Sequence, residues 1–155
     1  MKTLILYASK YGAVKEIAKR IADKLGNAVL HDLKQKNVPQ LSDFDLIIIG
    51  SSVYAGQIRK EAKAFAAKNA EELSKKPLGI FLSCFTDDSS YFTKNFPPQI
   101  IESAKSKAMP GGIFDPTKAG GFERFMVKLA MKETAYVNKI DDNKIAQFAE
   151  SLKNE

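Results

Sequence analysis

The chain has 155 residues, 45% of them hydrophobic, which is the size of one ordinary domain with enough apolar content for a substantial core. It carries 24 Lys and Arg against 18 Asp and Glu, a net charge of +6, with one cysteine and one histidine. A single Cys84 forms no internal disulfide, one histidine does not build a zinc site, and the basic residues are scattered along helix faces rather than massed, which argues against nucleic acid and leaves anionic partners or substrates favoured. No apolar run approaches the ~20 residues of a membrane span, and the start reads as a strand rather than a signal peptide, so a soluble, cytoplasmic protein is expected.

Leu4 to Ala8 is short, apolar and free of charge, as suits a strand buried on both faces of a parallel sheet. Ser9-Lys10-Tyr11-Gly12-Ala13-Val14 follows as a polar loop running into a helix. Val14, Ile17, Ala18, Ile21, Ala22 and Leu25 then recur at helical spacing, with charged residues on the other side and Gly26 as the stop. Strand, small loop and helix in this order make an anion cradle, because the first N–H groups of the helix have no partner within it.

A second, more polar strand is expected at Ala28 to Leu33, near a sheet edge, with His31 in a structural or solvent-facing role. Phe44 to Gly50, with three consecutive isoleucines, is the most β-like run and belongs at the sheet centre. The small-residue stretch Ser51-Ser52-Val53-Tyr54-Ala55-Gly56 reads as a loop, followed by a helix from about Arg59 to Ser74 with Ala62, Phe65, Ala66 and Leu73 inward. Leu78 to Ser83 is the fourth strand, with an exit loop from Cys84 to about Pro98. A brief helix from Gln99 to Ala108, a fifth strand at Gly112-Ile113-Phe114, a helix from Phe122 to Lys132 and a final helix capped near Asp141 or Asp142 complete the chain.

Alternating strands and helices point to right-handed βαβ units, and five strands at this length match a doubly wound parallel sheet of order 2-1-3-4-5. In that order the ligand crevice lies beyond the carboxyl ends of strands one and three. The loops opening at Ser9, Ser51 and Cys84 all fall there.

These residues resemble the flavodoxin family, whose first loop has the form T/S-x-T-G-x-T around the FMN phosphate. Ser9, Gly12 and the following helix match that pattern, whereas Tyr11 and Val14 replace its hydroxyl-bearing residues. The resemblance implies one flavodoxin-like three-layer α/β domain over residues 1–155 and FMN as cofactor. It also implies flavin contacts from Ser9 to Val14, from Ser51 to Gly56 with Tyr54 stacking on the ring, and from Ser83, Cys84, Phe85, Thr86 and Asp87. Asp88-Ser89-Ser90-Tyr91 is similar to a D-S-S-Y segment in which the tyrosine covers the second ring face. If Tyr91 instead begins a helix, Phe85 or the backbone of Ser83 to Asp87 lines the flavin.

A resemblance over most of the chain is to the flavodoxin-like protoporphyrinogen oxidases that deliver electrons to quinones. It rests on Met1 to Leu6 with Glu16-Ile17-Ala18, on Ile49-Gly50-Ser51-Ser52, and above all on Arg124 to Lys132 with Gln147-Phe148-Ala149. The chain lacks the arginine-rich insertion of those enzymes after Cys84. Three functions follow: a one-electron carrier between proteins, an enzyme passing hydrogen from a porphyrinogen-type molecule to a quinone, or a domain that has lost its flavin. Family carriers are acidic, so the +6 charge leans toward the enzyme or toward an acidic partner protein. No catalytic side chain is required, Cys84 reads as a neutral lining residue, and the basic face of the Phe122 to Lys132 helix suits a solvated surface or an anionic membrane.

Overall fold

The computed structural model describes residues 1–118, 120–121, 128 and 136–154. Five parallel strands form its main sheet: β1 (Thr3–Ala8), β2 (Ala28–Asp32), β3 (Leu46–Tyr54), β5 (Leu78–Ser83) and β6 (Ser106–Ala108), in the order β2-β1-β3-β5-β6. A short β4 (Gln57–Ile58) folds back antiparallel on the end of β3. The expected spatial order is therefore present, with helices on both faces.

Successive strand residues point to opposite faces, so each central strand feeds two cores. On one face Leu4, Leu6, Ile47, Ile49, Ile80 and Leu82 pack under α2 (Lys60–Lys68), α3 (Ala70–Ser74), α4 (Ser90–Asn95) and α5 (Pro98–Ser103). On the other, Ile5, Tyr7, Leu46, Ile48 and Phe81 pack under α1 (Ala13–Leu25) and α6 (Asp142–Lys153). Helix α1 presents the stripe read from its spacing, Val14, Ile17, Ala18 and Ile21, all fully buried. Helix α6 begins as expected at Asp141, whose side chain accepts the Asn143 and Lys144 N–H groups at 2.9 and 3.2 Å.

Gly50 and Phe81 sit opposite one another in the β3–β5 register. The Phe81 ring occupies the space that a Cβ on Gly50 would need, and its edge meets Phe148 of α6 with centroids 6.4 Å apart. Only glycine leaves room there for the far end of that ring.

Several expectations are corrected, among them the exit loop from Cys84 to Pro98, which contains α4. The fifth parallel strand is Ser106–Ala108, not Gly112–Phe114: the expected helix to Ala108 ends at Ser103, and the chain then pairs with Gly79 to Phe81. This is an edge strand of polar and small residues, held by backbone bonds along one side, so no apolar run announces it. Ile113–Phe114 (β7) instead pairs antiparallel with Val137–Asn138 (β8) in a separate ribbon. Ser51 to Gly56 is not a loop, because β3 continues to Tyr54 and turns through Ala55 and Gly56, both at positive φ (49° and 75°), into β4. The helix expected from Arg59 to Ser74 is broken at Asn69, whose side-chain amide donates to the Phe65 carbonyl at 2.9 Å. The helix expected from Phe122 to Lys132 lies, apart from Lys128, outside the described residues.

Replacing Gly50 by Ala pushes a methyl into the Phe81 ring and is expected to cost about 1–3 kcal/mol, read as a lower urea midpoint with an unchanged m-value.

Candidate functional site

Ala8 is paired with Ser51, and Ser52 with Ser83, so β1, β3 and β5 end at one level and release their chains side by side. That is the reversal point of the strand order, where a doubly wound sheet leaves a crevice.

The first wall is the loop between β1 and α1. Gly12 adopts φ 95°, closed to most L-residues, and its N–H donates to Ser9 Oγ at 2.9 Å, which folds the loop tightly before the helix starts. Among the described residues no side chain caps α1, so the N–H groups of its first turn stay available at the positive end of the helix dipole. Lys10 Nζ lies 5.2 Å from the Tyr11 ring centre and 5.9 Å from that of Tyr54, bridging this wall to the next. Val14 is fully buried against the sheet, so its side chain belongs to the core and only its backbone lies at the helix start.

The second wall is the β3–β4 hairpin, which presents Ser52, Val53 and Tyr54 to the cleft. It is held from behind by two buried polar side chains. Ser51 donates its hydroxyl to the Ser52 carbonyl and accepts the Arg59 N–H, both at 2.9 Å. Asn95 accepts the Ile58 N–H at 3.2 Å and donates to the carbonyls of Gly56 at 3.0 Å and Tyr91 at 2.8 Å. Tyr91 begins in the first turn of α4 and packs beneath the hairpin turn, Cε1 lying 3.7 Å from where a Gly56 Cβ would stand; it is not part of the cleft lining.

The third wall leaves β5. Ser83, Cys84 and Phe85 line the cleft, whereas Thr86 turns back toward Cys84, its Oγ1 3.2 Å from Sγ, and Asp87 pairs with Lys144 at 3.4 Å. The Ser83 hydroxyl and the Cys84 N–H both donate to the Gly111 carbonyl, at 3.0 and 3.2 Å. This double anchor brings Gly112, Ile113 and Phe114, expected in the main sheet, to the cleft as a fourth wall.

The four walls border about 710 Å³ of space, part of it open solvent. Of the residues expected to contact a ligand, Ser9 to Tyr11, Ala13, Ser52 to Tyr54 and Ser83 to Phe85 converge here. Gly12, Val14, Ser51, Ala55, Gly56, Thr86, Asp87 and Tyr91 shape or support the walls from outside the lining. Arg59 joins the lining unannounced. Among the described lining residues there are two cations, Lys10 and Arg59, and no carboxylate, which favours an anionic occupant.

The family model for the flavodoxin domain matches residues 4–141. The chain belongs to the flavodoxin-domain family. This flavodoxin-domain protein is 24% identical over 144 residues to the protoporphyrinogen IX dehydrogenase [quinone] of Escherichia coli K12, a match covering 85% of this chain and 80% of that one. Its fold is similar to that of two-electron reduced Megasphaera elsdenii flavodoxin, with a TM-score of 0.64 at 15% identity and 97% of each chain covered. It is also similar to a Lactobacillus acidophilus flavoprotein in complex with FMN, with a TM-score of 0.50 at 18% identity, covering 71% of this chain and 90% of that one.

Two outcomes test the scaffold of this domain. Asn95→Ala strands the Ile58 N–H and the Gly56 carbonyl and is expected to cost about 1–3 kcal/mol, with faster hydrogen exchange at the Ile58 amide. Asp88 accepts the Ser90 hydroxyl at 2.6 Å and its N–H at 3.0 Å, which holds the carboxyl below its ordinary range. A depressed folded value stabilises above the unfolded pKa of about 3.9 and is lost as pH falls through the folded one. The start of α4 should therefore loosen only in acid, and an NMR titration of Asp88 should show a midpoint below that of an unstructured Asp.

Proposed function

We propose that this protein binds FMN in the cleft at the ends of β1, β3 and β5 and acts as a redox protein through that flavin, with residues 1–155 serving as one flavodoxin-like domain. The observation that carries the reading is that an uncapped helix N-terminus and the aromatic side chains of Tyr54 and Phe85 open into one cleft. The first asks for a phosphate and the second for a flat apolar ring, and FMN has both. The first-turn N–H groups of α1, with Ser9 and Lys10, hold the phosphate in this reading, while Tyr54 and Phe85 flank the ring. The backbone from Ser83 to Cys84, tied to Gly111, would be the wall facing the ring from the exit of β5. Bound FMN supplies the electron or hydride chemistry, so no side chain needs to act as an acid or base.

A second reading, a dehydrogenase that passes hydrogen from a porphyrinogen-type substrate to a quinone, is supported by the similarity to the Escherichia coli enzyme. The net charge of +6 and the cleft's two cations also favour it, since a carboxylate-bearing substrate would be drawn to this surface.

The purified protein, or its apo form given FMN, is expected to show flavin absorbance with quenched flavin fluorescence; no bound flavin after reconstitution contradicts both readings. Oxidation of protoporphyrinogen with a quinone as acceptor separates the enzyme from a carrier, which is expected to give no turnover and instead to exchange single electrons with a protein partner. Loss of the ring contact in Tyr54→Ala is expected to weaken FMN binding by up to about tenfold, followed by fluorescence titration.

A further inference from the structure

The first loop is poor in phosphate ligands. Tyr11 and Val14 occupy the positions where the family pattern has small hydroxyl residues, and the Val14 side chain is sealed in the core, so of that pattern's hydroxyls the loop keeps Ser9, which accepts the Gly12 N–H and has its own O–H to donate. A dianion at the start of α1 would have the helix N–H groups, Lys10 and the Ser9 O–H, but not the further hydroxyls of the family pattern.

The neighbouring strand exit holds the missing donor. Ser51 lies opposite Ala8, the last residue before the first loop, and the Ser51 hydroxyl accepts the Arg59 N–H at 2.9 Å. Arg59 is thereby fixed one strand away from the loop, with its half-buried side chain lining the same cleft as Ser9, Lys10 and Ala13. Its Nε is buried and has no hydrogen-bond partner among the described residues. A guanidinium N–H removed from water without an acceptor is costly, the more so because Arg59 sits at the N-terminus of α2, where the helix dipole repels a cation. No carboxylate among the described lining residues relieves that cost; Glu61, in the first turn of α2, is not among them. An anion in the cleft would satisfy the Nε–H and offset the dipole together.

We propose that Arg59 is a phosphate anchor of this site, a guanidinium from the exit of the third strand replacing hydroxyls that the first loop lacks. The proposal rests on the reading that the cleft binds FMN. A planar guanidinium presents paired N–H donors that match two phosphate oxygens, which a lysine ammonium does not. The site would therefore recognise its flavin by charge and be correspondingly sensitive to salt.

The test compares FMN with riboflavin, which has the same ring and no phosphate. Affinities of the apoprotein and of its Arg59→Gln and Arg59→Lys variants are measured by flavin fluorescence at low and high salt, with circular dichroism and thermal midpoints to confirm folding. The native protein is expected to prefer FMN; Arg59→Gln to lose about ten- to hundredfold of FMN affinity with riboflavin affinity unchanged; and Arg59→Lys to recover part of the loss at low salt only. Unchanged FMN affinity in a folded Arg59→Gln variant overturns the anchor while leaving the FMN reading intact. Equal losses for FMN and riboflavin also overturn it, because they would mean that Arg59 supports the ring or the fold. A native protein that binds neither flavin overturns both.

Discussion

Everything at the working end of this protein depends on the register of three parallel strands. Because Ala8 stands against Ser51 and Ser52 against Ser83, the chains leaving β1, β3 and β5 emerge at one height, and none needs a long excursion to reach the others. The register is enforced by burial on both faces: Leu4, Ile47 and Ile80 go to one core and Ile5, Ile48 and Phe81 to the other. A slip of one residue would exchange the two sets and press Gly50 and Phe81 against the wrong neighbours.

On that base, the loops are fixed by buried polar groups placed behind them. Ser51 ties the exit of β3 to the start of α2, Asn95 ties the hairpin turn to α4, and the Gly111 carbonyl ties β5 to the ribbon of β7 and β8. These bonds use Ser51, Asn95, Ser83 and backbone groups, and none uses the side chains of Ser52, Tyr54, Phe85 or Arg59. Buried hydrogen bonds of this kind contribute modestly to stability, but losing one partner is costly, which makes the wall positions well defined.

The parts of this arrangement that were legible in the sequence are those that periodicity reports. The isoleucine run of β3, the charge-free β1 and the stripe of α1 each carry a burial pattern of their own, and together they imply the sheet order and the crevice. Short-range polar structure was less legible. The hairpin at Ala55 and Gly56 was hidden because Ser51 and Ser52 look like loop residues, although they continue a strand. The edge strand Ser106–Ala108 has no apolar signature, since its bonds come from the backbone of Gly79 to Phe81. Ile113 and Phe114 look like a strand and are one, but their partners, Val137 and Asn138, lie far away in sequence and form a separate ribbon. Arg59 was missed as a site residue, although one signal was present: Arg59-Lys60 puts two cations at the start of a helix, where the dipole favours the opposite sign.

The central claim is that one cleft, built by these strand exits, holds the flavin. Titrating FMN into isotopically labelled apoprotein and following backbone amide shifts by NMR tests it most directly. The account predicts saturable changes concentrated at Ser9 to Ala13, Ser52 to Tyr54, Ser83 to Phe85 and Gly112 to Phe114, with little change along β2 or at the far ends of the strands. Saturable shifts centred elsewhere, or none at all, would contradict it.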